Sequence, residues 1–185
     1  MLLNTIFVLL GFIFDGVINN ILVNNFMMTN LMFIPWIGFS AMLIVIRKMD
    51  TFSTYAFVFS FGMFYDFFYA DTFALYAIVF VICAFILKKW AIHLTKTLFE
   101  SVMLIISTIF VNEFIVYFFM IITSMTKLGI QAWLIKRMFL TLVINAFLCV
   151  LVIYFDRLKD DLKDRRDLRM RKEERISWVK LLSKQ

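Results

Sequence analysis

Along the chain, apolar runs rich in Phe, Ile, Leu, Val and Met alternate with short charged or Asn-rich interruptions. A bilayer core about 30 Å thick needs about 20 residues at 1.5 Å each. The pattern predicts six membrane helices at about Leu2 to Val23, Leu31 to Ile46, Thr51 to Tyr69, Thr72 to Leu87, Thr97 to Ser124 and Ala132 to Phe155. The turn Asn24 to Asn30 separates the first two, and the tight Ala70-Asp71 link makes the third and fourth a hairpin. Lys136 and Arg137 fall in the first turn of the sixth. The first run lacks a positive n-region and a small-residue cleavage site and contains Asp15, so it reads as a permanent helix rather than a signal peptide.

Composition agrees with this periodicity. Of 185 residues, 63% are hydrophobic, with 24 Phe and a mean hydropathy of +0.91, well above the half-apolar make-up of soluble domains. The expected fold class is an all-α polytopic membrane protein of six transmembrane helices, a bundle over 1–155 followed by a charged tail over 156–185. Cys83 and Cys149 lie inside apolar runs, which argues against a disulfide framework or a zinc site. A pI near 9.4 is compatible with nucleic-acid binding, yet the +6 excess sits in loops and the tail. It points to membrane orientation, not nucleic acid.

Sixteen basic residues fall on one side of the predicted topology: Arg47, Lys48, Lys88, Lys89, Lys96 and eleven in the tail. The other side has Lys127, joined by Lys136 and Arg137 if those face outward. The positive-inside bias therefore predicts a cytoplasmic tail and two cytoplasmic termini. In the tail, Leu158 and Leu162 suit a helix continuing out of the membrane. Ile176, Trp178, Val179, Leu181 and Leu182 suit docking on headgroups or a partner, against the plainer reading of a solvated anchor.

Charged side chains at mid-bilayer cost at least about 2.5 kcal/mol, so each buried acid needs a partner, a proton or water. Glu100 is one turn from Lys96 and reads as a local ion pair. Asp15 ends Gly11-Phe-Ile-Phe-Asp15, and Asp66 ends Gly62-Met-Phe-Tyr-Asp66. Residues four apart share a helix face, so each glycine offers a flat spot beside its carboxylate for close helix approach. Asn19 extends the first face, and Tyr55 and Tyr69 the second. Thr141, Asn145 and Cys149 form a third polar stripe, on the sixth helix. These faces are expected to point inward, with Lys136 or Arg137 neutralising Asp15, Asp66 or Glu113; the alternative is a basic pair that snorkels to the outer headgroups. Two Gly-x-x-x-Asp segments also hint at a duplicated hairpin.

Catalytic signatures are missing. His93, the one histidine, lies in a basic loop away from Gly38-Phe39-Ser40, and Asp66 and Asp71 point about 140° apart on a helix, unlike an aspartyl-protease pair. No P-loop, HExxH or dinucleotide fingerprint occurs. The reading is a non-enzyme with no cofactor and no metal. A transporter is disfavoured by a single proline and the lack of paired Gly/Pro-interrupted helices.

The segment FSFGMFYDFFYADTFALYAIVFVICAFILKK resembles the signature region of the MreD family, the rod shape-determining membrane proteins of bacteria. There a Gly-x-x-x-Asp helix end, a polar turn, a glycine-containing pair with an aromatic, and a second apolar helix follow in order. Gly62, Asp66 and Tyr76 match. Ala74 departs, since the family usually has glycine after the turn. Length, six spans, cytoplasmic termini and charged tail also agree. The resemblance implies a nonenzymatic scaffold of the cell-elongation and peptidoglycan-synthesis machinery, working with MreC and alongside the actin-like MreB, RodA and its partner transpeptidase. It leaves the oligomeric state open, a homo-oligomer included. The architecture is also similar to the substrate-capture subunits of ECF vitamin transporters, the second reading. Those resemble one another in an Ala-x-x-x-Ala docking surface on helix one, where this chain has no alanine.

Overall fold

The computed structural model describes residues 2–26, 32–70, 72–91 and 97–182, leaving aside the side chains of 22–26, 91 and 172–182. Asp71, His93, Lys96, the 27–30 part of the Asn-rich turn, Leu31 and the tail side chains Ile176 to Leu182 thus lie outside the described residues or side chains. Within them the protein is all-helical, with no strand. Helix α1 is Leu2–Phe26, α2 Ile37–Ile46, α3 Thr51–Tyr65 with a π-helical turn at Asp66–Ala70, α4 Leu75–Ala91 and α5 Leu98–Ile122. The last helix, α6, enters at Ile130–Trp133, passes a π turn at Leu134–Met138 and continues as Phe139–Leu182.

Three of these are long and apolar enough to cross a membrane: Leu2–Ile21, Leu98–Ile122 and Ile130–Arg171. Exposed large apolar side chains cover their outer faces, including Phe14, Phe99, Phe118, Phe139 and Phe147. Apolar surface this extensive is what a bilayer solvates and water does not.

The second predicted run differs most from expectation. Its helix begins at Ile37 rather than Leu31, and 32–36 has no regular secondary structure. Pro35 is the physical reason, because its ring disfavours helical backbone at the preceding residue and it has no N–H to donate. The ten-residue α2 is buried from Gly38 through Ile46 and packs on α1, α4, α5 and α6. It is apolar all round because it is the centre of the core. The fourth run begins at Leu75 rather than Thr72, after Ala74 with φ 58°. That left-handed backbone suits glycine.

The remaining packing is α3 on α4, α4 on α5 and α5 on α6. Phe12 of α1 also reaches α3, with ring centroids 5.7 Å from Phe61 and 5.9 Å from Tyr65.

Candidate functional site

The two Gly-x-x-x-Asp segments perform the same local task. On α1, a Cβ placed at Gly11 would lie 2.8 Å from Gly38 Cα, so only glycine allows α1 and the start of α2 to touch backbone to backbone. One turn on, Asp15 accepts hydrogen bonds from the Ile37 and Gly38 amides at 2.7 and 2.8 Å. On α3, a Cβ at Gly62 would lie 2.4 Å from Ala77 Cα. Asp66 accepts from the Tyr76 and Ala77 amides, each at 3.0 Å, and from the Thr72 hydroxyl. The first amides of any helix lack intrahelical acceptors. Inside a membrane protein no bulk water supplies one, and a carboxylate at the positive end of the helix dipole answers both needs. Both carboxylates are buried, Asp15 4% and Asp66 1% exposed.

Among the described residues, one of the alternative pairings of Lys136 or Arg137 with Asp15, Asp66 or Glu113 forms. Arg137 Nη2 lies 2.9 Å from Glu113 Oε2, and its Nε donates to the same oxygen at 3.1 Å. Asp15 and Asp66 are held by amides and a hydroxyl rather than by Lys136 or Arg137. Lys136 contributes its backbone carbonyl, which accepts from Met32 N at 2.9 Å; its side chain is exposed. Glu100, whose expected partner Lys96 is not described, donates its backbone N–H to the Thr97 hydroxyl as α5 begins.

Trp36, which the sequence reading did not single out, joins these groups. Its indole Nε1 donates to Glu113 Oε1 at 2.9 Å, and its backbone N donates to Asn145 Oδ1 at 2.8 Å. Asn145 in turn donates to the carbonyls of Ile34 and Thr141, both at 2.8 Å. The break before α2 is thereby tied to α1 by Asp15, to α5 by Glu113 and to α6 by Asn145. Trp36 is fully buried among Phe39, Tyr65, Tyr76 and Phe80, with Tyr65 stacked at 5.3 Å. The chain's lone proline beside a tryptophan was the available signal.

The stripe of Thr141, Asn145 and Cys149 is fully buried. Asn19 is exposed, so the α1 polar face ends near Asp15, where α1 leaves α2. Tyr69 crosses from the π turn to α1, its hydroxyl donating to the Phe12 carbonyl at 2.7 Å over Gly16. The Asn112 side-chain amide and the Thr141 hydroxyl are buried without a hydrogen-bond partner among the described residues.

A second polar cluster lies at the other end of the bundle. Lys48, after α2, pairs with Asp156 at 2.6 Å and Asp160 at 2.5 Å, while Lys159 pairs with Asp156 at 2.6 Å and stands 4.7 Å over the Phe7 ring. Burial alone would lower the Lys48 ammonium, but the two carboxylates overcome it and hold it above its ordinary range. Burial opposes ionisation of Asp160, which Lys48 and its neighbours nonetheless hold low. The Lys48–Asp160 pairing is therefore lost as pH falls through the lowered Asp160 value or rises through the raised Lys48 value. The first turns of α6 beyond Phe155 are thus fastened to the bundle.

Among the described residues no cluster of three or more His, Cys, Asp or Glu is placed to hold a metal. No family profile, curated protein or solved structure matches the chain.

Proposed function

We propose that this chain is a nonenzymatic integral-membrane scaffold of the bacterial cell-elongation machinery, of the MreD kind, whose main partner is MreC. One observation carries the reading. Gly62, Asp66 and Tyr76, the residues of the resemblance, meet in one contact: the glycine lets α3 reach the start of α4, where the carboxylate accepts from the Tyr76 amide. Ala74, where that family usually has glycine, has the left-handed backbone glycine takes most easily. The other buried carboxylates support a structural role as well, since they bind the protein's own backbone, indole and guanidinium.

The proposal includes six crossings with cytoplasmic termini. Met32 N at the Lys136 carbonyl and Trp36 N at Asn145, nine residues further along α6, cover about 14 Å, and the ten residues of α2 about 15 Å, together about one bilayer core. Lys136 and Asp156, twenty residues apart on α6, are about 30 Å apart, so charged groups flank the apolar stretch at both ends. The sixteen basic residues on the Asp156 side support its being the cytoplasmic end.

Co-expression with MreC and purification in mild detergent tests the reading. The expected result is a stoichiometric complex that melts higher than the chain alone, with no stabilisation by vitamins. A substrate-capture subunit would instead gain about 2.7 kcal/mol from its vitamin at a hundredfold excess over Kd, with saturable dose dependence. That outcome would replace the scaffold reading with the transporter one.

A further inference from the structure

Where α5 turns into α6, a recess of about 260 Å3 lies between Met32, Tyr117, Met120 and Trp133 on its apolar walls and Lys136 and Arg137 on its polar one. Among the described residues its lining holds no carboxylate. Tyr117 and Trp133 stack at 4.4 Å, and the Tyr117 hydroxyl donates to the Leu128 carbonyl at 2.8 Å, so this wall is fixed. Both cations lie on the π turn of Leu134–Met138, a helix irregularity that recurs at functional sites. Glu113 faces Arg137 and neutralises it, leaving the single charge of Lys136, whose side chain has no ion-pair partner among the described residues.

We propose that this recess binds the phosphate headgroup of an anionic phospholipid, in the leaflet on the side of the α5–α6 connection. One net positive charge matches one phosphodiester, and the ammonium and the free edge of the guanidinium supply charge-assisted donors. The volume is below the about 300–1,000 Å3 of sites that enclose whole ligands, which suits a headgroup inserted from the bilayer. Ile135 and Phe139, each 70% exposed, flank the cations on α6 and offer the acyl chains an apolar surface. About 9 Å of helix separates Ile130 from Lys136, which puts the ammonium near headgroup depth. The proposal is independent of the scaffold reading.

The full chain in a neutral detergent, followed by thermal unfolding and native mass spectrometry, tests it with phosphatidylglycerol, dioleoylglycerol and inorganic phosphate as probes. Phosphatidylglycerol is expected to raise Tm saturably and stay bound, and the other two to do neither. Lys136→Gln, at an exposed position, should weaken phosphatidylglycerol binding about tenfold, the loss of one charge-assisted hydrogen bond, and Lys136→Arg should restore it. Equal stabilisation by dioleoylglycerol would make the effect one of acyl chains, and an equal shift with inorganic phosphate would make it a free-anion site. Either result, or undiminished binding by Lys136→Gln, overturns the proposal.

Discussion

The α1–α2 and α3–α4 hairpins use the same five-residue device at different range. In α3–α4 everything Asp66 holds lies within eleven residues of it: Thr72, Tyr76 and Ala77. In α1–α2 the capped amides are 22 and 23 residues away, and the segment leading to them is held by Glu113 and Asn145 from α5 and α6. A glycine and a carboxylate one turn apart thus close a self-contained hairpin in one case and anchor the centre of the bundle in the other. The motif specifies a contact with a helix start; how far that start lies along the chain is set by the intervening sequence.

The glycines should give the largest effects. Gly62→Leu drives a large side chain into Ala77 backbone and is expected to cost about 3 kcal/mol or more, seen as loss of a monodisperse folded species in detergent. Gly11→Ala, against Gly38 Cα, should lower Tm by less. A tolerated Gly62→Leu would mean that α3 and α4 do not approach as described.

Next are the carboxylates. Asp15→Ala leaves two buried amides without acceptors, at about 1–3 kcal/mol each. Asp66→Ala should cost less, because the amides it caps are ten and eleven residues away and the short α3–α4 connection still holds the two helices together. The Asn variants keep one oxygen and should fall between wild type and Ala at each site. Denaturation of the four variants checks the order, and equal costs at the two sites would erase the local-versus-distant distinction.

The smallest expected change is a gain. Ala74→Gly relieves a left-handed backbone costing about 1–2 kcal/mol, partly offset by greater freedom of the unfolded chain, so a stabilisation of up to about 1 kcal/mol should appear as a higher Tm. No equivalent change should exist in α1–α2, where no described non-glycine residue has positive φ.

The same contrast explains how much was legible in the sequence. Apolar periodicity located the helices, and Gly-x-x-x-Asp identified two faces of close approach, since both depend on neighbours three or four residues apart. Which of Asp15, Asp66 and Glu113 meets Lys136 or Arg137 is open in the sequence: Glu113 takes Arg137, and the unpaired amides of a buried helix start hold each of the other two. Such amides are invisible until the start is known, and Pro35 moved it from Leu31 to Ile37. Trp36 was hidden for a related reason. One more aromatic among so many Phe has no periodic signature, and its importance comes from Glu113 and Asn145, 77 and 109 residues away.

Amide hydrogen exchange resolved at Ile37, Gly38, Tyr76 and Ala77 tests most directly that the two carboxylates are helix caps. The account predicts slow exchange at all four in the wild type. Asp15→Ala should accelerate Ile37 and Gly38 by about tenfold or more while sparing Tyr76 and Ala77, and Asp66→Ala should do the converse. Exchange at the four amides that is already fast in the wild type, or unchanged in both variants, would contradict it.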